Sequence, residues 1–259
     1  MDGGICSQML MYLQGQWYAE YGLKVYYDTR WFEVCGLDQF GQFTRDLEFH
    51  EMWPTLPFHV IKGWRRWFYK EFFNIGNFMN GTLLEPSTLR HSVYLYGYWD
   101  LPSGVYDRLF REKFDISRAQ TVHNIHLNIN NEDLIVGVHV RRGDLAKGNN
   151  PIYGGVTDGY FLHAVDFCKK KFMPQKFYFF SDEPDWVETN ICSQIDVPNE
   201  IVRGNKAWED LRLLASCDVI VASQGSFGRC AARLNPQAKL IICDNKPINK
   251  QQPNTFYIK

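Results

Sequence analysis

Three short polar segments hold the residue types that can do chemistry. They are His139-Val140-Arg141-Arg142-Gly143-Asp144, Ser181-Asp182-Glu183 and Ser223-Gln224-Gly225-Ser226. An arginine presents a planar fork of N–H donors that matches phosphate oxygens, so two adjacent arginines at one point of a chain suit a diphosphate. Side chains alternate along an extended backbone. His139 and Arg141 therefore share one face, and Arg142 points the other way. Arg141 is then the better ligand contact, and Arg142 the better structural partner for a carboxylate such as Asp144. Other familiar sites are missing. The chain has no GxxxxGK[ST] or GxGxxG loop, no HExxH pair and no CxxC pair. It has no Asp-x-Asp triplet of the kind that holds a nucleotide diphosphate through a divalent ion. Ser223 and Ser226 have no neighbouring histidine to make either a nucleophile. An arginine-based, metal-free diphosphate site fits these residues best.

The elements around the three segments explain why they would converge. Leu134–Val140, Lys176–Ser181, Asp218–Ala222 and Lys239–Cys243 are short apolar runs, the pattern of strands covered on both faces. Helical spacing falls between them, at Tyr160–Lys171, Pro184–Ile191, Ala207–Ser216 and Ser226–Leu234, the last begun by a Ser226 cap. Strands alternating with helices predict a parallel sheet. Ligands of such sheets sit beyond the carboxyl ends of the strands, and all three polar segments lie there. The first half reads less regularly. Gln8–Tyr21 has helical spacing and Val25–Asp28 reads as a strand, while residues 40–90 give no assignment. A polar stretch, Asn128-Ile129-Asn130-Asn131-Glu132-Asp133, divides the chain into domains 1–130 and 131–259.

The chain has 259 residues, a net charge of -1 and 22% charged residues, a balance that speaks against a general nucleic-acid binder. No apolar run is long enough for a transmembrane helix, and no signal peptide is visible. Seven cysteines, an odd number, point to reduced thiols. The location expected from these features is cytoplasmic. Aromatic residues reach 16%, and 27 of the 41 lie in residues 1–133. They form either a bulky core or the walls of a sugar-binding cleft, since ring faces pack well on the apolar faces of sugars.

The residues His139-Val140-Arg141-Arg142-Gly143-Asp144 resemble the HxRRxD motif of the α-1,2-fucosyltransferases and their α-1,6 and protein O-fucosyltransferase relatives. Five other stretches stand in the family's order along the chain. Gly3-Gly4-Ile5-Cys6-Ser7-Gln8-Met9 is similar to the family's opening GGLGNQM, and Tyr178 to Val187 to its FFIFSDDxxWV segment. Trp208-Glu209-Asp210-Leu211 through Cys217 is similar to EDLxLMSxC. Gln224-Gly225-Ser226-Phe227 and Leu234-Asn235-Pro236 match NSSF and LNP. The chain departs from the family at Arg229-Cys230, where two tryptophans usually stand.

The resemblance implies an α/β, GT-B-like architecture of two Rossmann-like parallel-sheet domains facing a cleft, with the acceptor on 1–130 and the donor on 131–259. It implies inverting, metal-independent transfer of L-fucose from GDP-β-L-fucose to a hydroxyl of a glycan acceptor, with α-1,2 linkage and no cofactor. By family pattern, His139 and Asp210 contact the nucleoside, Arg141 holds the β-phosphate, and Ser226 and Phe227 lie against the diphosphate or base. Gly3, Gly4 and Arg142 complete the donor-binding set, and Asp144 and Asp182 support it from behind. Asp28 and Asp144 are the two candidates for the base. The alternatives are another sugar-nucleotide transferase, such as a rhamnosyltransferase, and a non-catalytic nucleotide- or glycan-binding protein.

Overall fold

The structure is a computed structural model. It describes residues 1–37, 41, 44–122, 127, 133–143, 158–223, 225–243 and 254–258, with the backbone alone at 76–80 and 158. The chain divides into two compact units, Met1–Ala119 and Gln120–Lys259. The division falls about ten residues before the boundary read from the sequence. The polar stretch 128–132 and the motif residues Asp144 and Gln224 lie outside the described residues.

The second unit is built on strands β3 (Ile135–Val140), β4 (Lys176–Ser181), β5 (Asn199–Ile201), β6 (Val219–Ala222), β7 (Lys239–Cys243) and β8 (Thr255–Ile258). They form one sheet in the order β5-β4-β3-β6-β7-β8, with every neighbouring pair parallel. The chain starts in the middle at β3, winds outward through β4 and β5, then returns to the other side of β3 at β6. This is the doubly wound order, and its switch point is the gap beyond the ends of β3 and β6. Helices α6 (Asp158–Phe172), α7 (Pro184–Asn190), α8 (Ala207–Leu214) and α9 (Phe227–Leu234) connect the strands.

Alternation decides what each face buries. Val136, Val138, Val140, Phe177, Phe179, Val219, Val221 and Ile241 point one way, into a cluster closed by Phe161, Val165 and Val187 of α6 and α7. The opposite face meets α8 and α9. A Cβ at Gly228 of α9 would lie 2.5 Å from the Cβ of Ala222, so this helix can sit on β6 only with glycine there. Buried main-chain groups at strand ends are satisfied from the helices: the Tyr160 hydroxyl of α6 bonds to the carbonyls of Ala222 and Ile241 at 3.0 and 3.2 Å.

The first unit holds α1 (Ile5–Glu20), α2 (Arg30–Val34), α3 (Phe49–Met52), α4 (Gly63–Phe72), β1 (Asn74–Thr82), β2 (Tyr94–Asp100) and α5 (Val105–Lys113). Its described sheet is the parallel pair β1-β2. The α/β class with parallel sheets read from the sequence is the one observed. The stretch Val25–Asp28 shrinks from a strand to a single parallel bridge, Tyr27 with Val60, because only that residue meets a neighbour in register. Helix α1 starts at Ile5, three residues before the expected start. It is tied down by Gln8, whose buried amide nitrogen donates to the carbonyls of Gly3 and Asp46 at 3.0 and 2.7 Å. Its oxygen accepts from the amides of Glu48 and Phe49 at 2.9 and 3.2 Å. A buried amide with all these bonds filled fixes the start of α1 against the turn leading into α3.

Candidate active site

The switch point of the second unit gathers most of the residues singled out from its sequence. His139, the penultimate residue of β3, pairs in register with Ala222 of β6. Its carbonyl accepts from the Ser223 amide at 3.1 Å, and its Nδ1 shares a hydrogen bond with the Ser223 hydroxyl at 2.9 Å. The imidazole stacks on Phe227, the first residue of α9, with 4.6 Å between centroids and 22° between planes. Burial, and then the positive charge of Arg141, push the His139 pKa down to about 3. The ring is therefore held in its neutral form at physiological pH.

Arg141 lies just past the end of β3. Its charge acts on both His139 and Asp182. Its Nη1 would be 3.7 Å from a Cβ built on Gly225, which has φ +110°, a conformation that favours glycine. The guanidinium thus stands beside the loop that opens α9. Ser226 occupies the N-cap position of that helix, but its φ and ψ of -87° and -21° are not the extended values that turn a cap hydroxyl onto the first-turn amides. The cap expected from the sequence is not made. The start of α9 keeps its partial positive charge without a side chain spent on it, a setting that favours an anion.

Arg142 takes the other role. Its Nε donates to Glu183 at 3.2 Å, and its guanidinium carbon sits 3.3 Å from the centroid of the Trp186 ring. Its backbone amide donates to Asp182 Oδ1 at 2.9 Å. The carboxylate seen on Arg142 is thus Glu183, whereas Asp144, named for that role from the sequence, lies outside the described residues. Asp182 supports the turn after β3; burial raises its pKa, opposed by the Arg142 amide and by Arg141. Asp210 sits in the first turn of α8, where it accepts from the Asn205 amide group at 2.8 Å.

The remaining residues belong to the first unit. Gly3, with φ +73°, and Gly4 precede α1, and the Gly4 carbonyl accepts its first bonds, from Ser7 and Gln8. Asp28 accepts from the Arg30 amide and from the Tyr94 hydroxyl, each at 2.9 Å. Sequence reasoning missed Ser223 as the partner of His139, and Glu183 and Trp186 as the seat of Arg142. Ser223 and Glu183 stood in segments already marked as polar strand ends, and Trp186 in the helix that follows the second of them. Among the described residues, no group of three or more His, Cys, Asp or Glu could hold a metal ion, and no helix is long and apolar enough to cross a membrane.

In doubly wound α/β units ligands sit at the switch point, and here an arginine, a stacked neutral histidine and an open helix start meet there. Residues 58–255 match the family model of glycosyl transferase family 11, and the chain belongs to that family. It is 26% identical to an α-1,2-colitosyltransferase of Escherichia coli over 65% of this chain and 61% of that protein. It is 31% identical to the galactoside 2-α-L-fucosyltransferase Sec1 of Mus musculus over 52% of this chain and 36% of that protein. The chain thus spans between about a third and three fifths of the length of these curated relatives. A crystal structure of POFUT1 in complex with GDP aligns over 58% of this chain and 54% of its own, with 10% identity and a TM-score of 0.39.

Proposed function

We propose that the chain is an inverting, metal-independent fucosyltransferase that moves L-fucose from GDP-β-L-fucose to a glycan hydroxyl, forming an α-1,2 linkage. The observation that carries this reading is the position of Arg141 beside Gly225 and the start of α9, with the His139–Phe227 stack next to it. Membership of glycosyl transferase family 11 supports the reaction class. In the proposed step the bond from fucose C1 to the β-phosphate oxygen breaks, and its electrons stay with GDP. The acceptor oxygen bonds to C1 from the opposite face, through a transition state of oxocarbenium character. Arg141 and the first amides of α9 receive the charge that grows on the diphosphate. A single preorganised donor of this kind contributes about 3–4 kcal/mol in other enzymes. In this reading the neutral His139 ring offers a flat face to the base, and Asp210 accepts a hydrogen bond from the nucleoside.

The acceptor proton goes to a carboxylate, either Asp28 or Asp144, and the corresponding Asn variants separate the two. The test of the donor class is a calorimetric panel of GDP, UDP and dTDP on the purified protein, followed by turnover of GDP-fucose in excess EDTA. GDP binding more tightly than the other two, with turnover intact in EDTA, is expected. Equal binding of all three, or a loss of turnover restored by Mg²⁺ or Mn²⁺, overturns the reading. A second reading has specific support. The E. coli relative is named a colitosyltransferase, so a colitosyl donor belongs in the same turnover assay.

A further inference from the structure

The first unit contains a cavity of about 1070 Å³ that no residue of the donor site lines. Its size lies at the upper end of ordinary ligand cavities, roughly 300–1,000 Å³, with room for more than one sugar ring. Three rings at its walls stay open to solvent: Trp64 of α4 is 71% exposed, Tyr26 55% and Tyr96 39%. Rings left uncovered around a concave site offer flat apolar faces at low entropic cost, because each has only two side-chain torsions.

Charge distinguishes this cavity from a general aromatic cleft. Lys24, Lys62, Arg65 and Arg90 line it, against the carboxylates of Asp2 and Asp28. Asp2 accepts from the Tyr98 hydroxyl at 2.8 Å, Asp28 from the Tyr94 hydroxyl and the Arg30 amide, and both carboxylates also attract the Met1 ammonium. Arg65 lies 6.0 Å from the Trp64 ring centroid. Among the described residues, no ion pair joins any of these four cations to a carboxylate. Four cations against two carboxylates give the lining an excess of positive charge, which attracts an anion.

We propose that this cavity takes the acceptor saccharide and selects one bearing a carboxylate. The inference rests on the glycosyltransferase reading and adds to it the charge of the acceptor. The sugar rings stack on Trp64, Tyr26 and Tyr96, and the carboxylate sits among Lys62, Arg90 and Lys24.

The test compares two matched disaccharides, lactose and lactose with its galactose C6 oxidised to the carboxylate, by calorimetry on the full chain. Sodium sulfate serves as an anion without a sugar, and GDP affinity is measured on the same preparations. The carboxylate form should bind about ten-fold more tightly at low salt, and the advantage should shrink in 0.5 M NaCl, because the charges involved are exposed. Trp64→Ala should weaken both sugars. The double variant Lys62→Gln and Arg90→Gln should bring the two affinities together, while GDP affinity and melting temperature stay at parent values. Equal affinities in the parent overturn the proposal, as does a preference that survives the double variant. Sulfate displacing the carboxylate sugar at equal concentration also overturns it, since the surface is then a simple anion patch. If GDP binds and fucose is transferred without any preference for the carboxylate form, this inference alone fails. If the preference holds and GDP does not bind, the donor reading fails and the saccharide cavity stands.

Discussion

The two units put the same residue types to opposite uses. In the second, Phe177, Tyr178, Phe179 and Phe180 run consecutively along β4, and all are buried. In the first, Trp64, Trp67, Phe68 and Phe72 lie along α4, and all are exposed. A strand at the centre of a doubly wound sheet has helices on both faces, so every residue along it is covered. The described side chains of α4 meet the body of the first unit through Tyr69 and Arg66, its least exposed residues, and the rest of its circumference is open. Aromatic content alone therefore says nothing about burial. The number of faces an element has covered decides it.

The sharpest way to break this contrast is to delete one ring from each unit. Phe179→Ala removes a fully buried side chain from the cluster between the sheet and helices α6 and α7, and should cost about 3–5 kcal/mol of stability. Trp67→Ala removes an exposed ring and should stay within about 0.5 kcal/mol. Urea titrations of both variants check this, and a comparable loss in Trp67→Ala would mean that the face is covered in solution.

The next effect separates the two arginines within the second unit. Arg141→Lys keeps the charge and loses the fork. GDP-fucose turnover should fall about ten- to a hundred-fold, some 1.4–2.8 kcal/mol of barrier, and by more than GDP affinity does. Arg142→Lys gives up the stack on Trp186 and the bond to Glu183. It should lower stability by about 1 kcal/mol and change turnover little. Melting temperature, GDP affinity and turnover measured on both variants decide the assignment, and a reversal of the two patterns would exchange the roles.

The smallest effect is a pH slope. His139 has an ordinary pKa near 6.5 when unfolded and one pushed down to about 3 in the fold. The unfolded chain therefore takes up the proton first. The stability contributed by the neutral, buried ring is complete above pH 6.5 and drains as pH falls towards 3. His139→Phe should show a shallower fall in melting temperature between pH 7 and 5 than the parent. Identical slopes would show that the imidazole is more hydrated than its packing on Phe227 implies.

Legibility followed the same contrast. Strands β3, β4, β6 and β7 were readable because burial on both faces writes a continuous apolar run. With them came the convergence of His139, Arg141 and the Gly225 loop at the strand ends. Strand β5 is three residues, Asn199–Ile201, with one apolar member, and β8 pairs on only one described side, at Leu240–Cys243. Neither carries a pattern strong enough to read. In the first unit, Val25–Asp28 has the composition of a strand, yet pairing depends on a neighbour that sequence does not reveal, and only Tyr27 has one. The Ser226 cap failed for a local reason: the loop through Gly225 delivers the chain to α9 already in a helical conformation. Closeness along the chain pointed to Asp144 as the partner of Arg142, whereas Glu183, far along the chain, is brought within reach by the geometry of the turn after β4, which the sequence does not reveal.

The strand order carries a consequence for synthesis. β3 is the first strand of its sheet to leave the ribosome, yet it ends in the centre, bonded to β4 on one side and β6 on the other. Its β4 neighbour begins at Lys176 and its β6 neighbour only at Val219, whose preceding Asp218 carboxylate accepts from the Ile135 amide at 2.8 Å. A nascent chain that has released β4 but not β6 displays Val136 and Val138 on a bare sheet edge. An open apolar edge of this kind invites pairing with other chains. Chains ended between residues 182 and 218 hold β4 without β6, and in them aggregation competes best with folding. Nonsense mutations in that interval should give insoluble products.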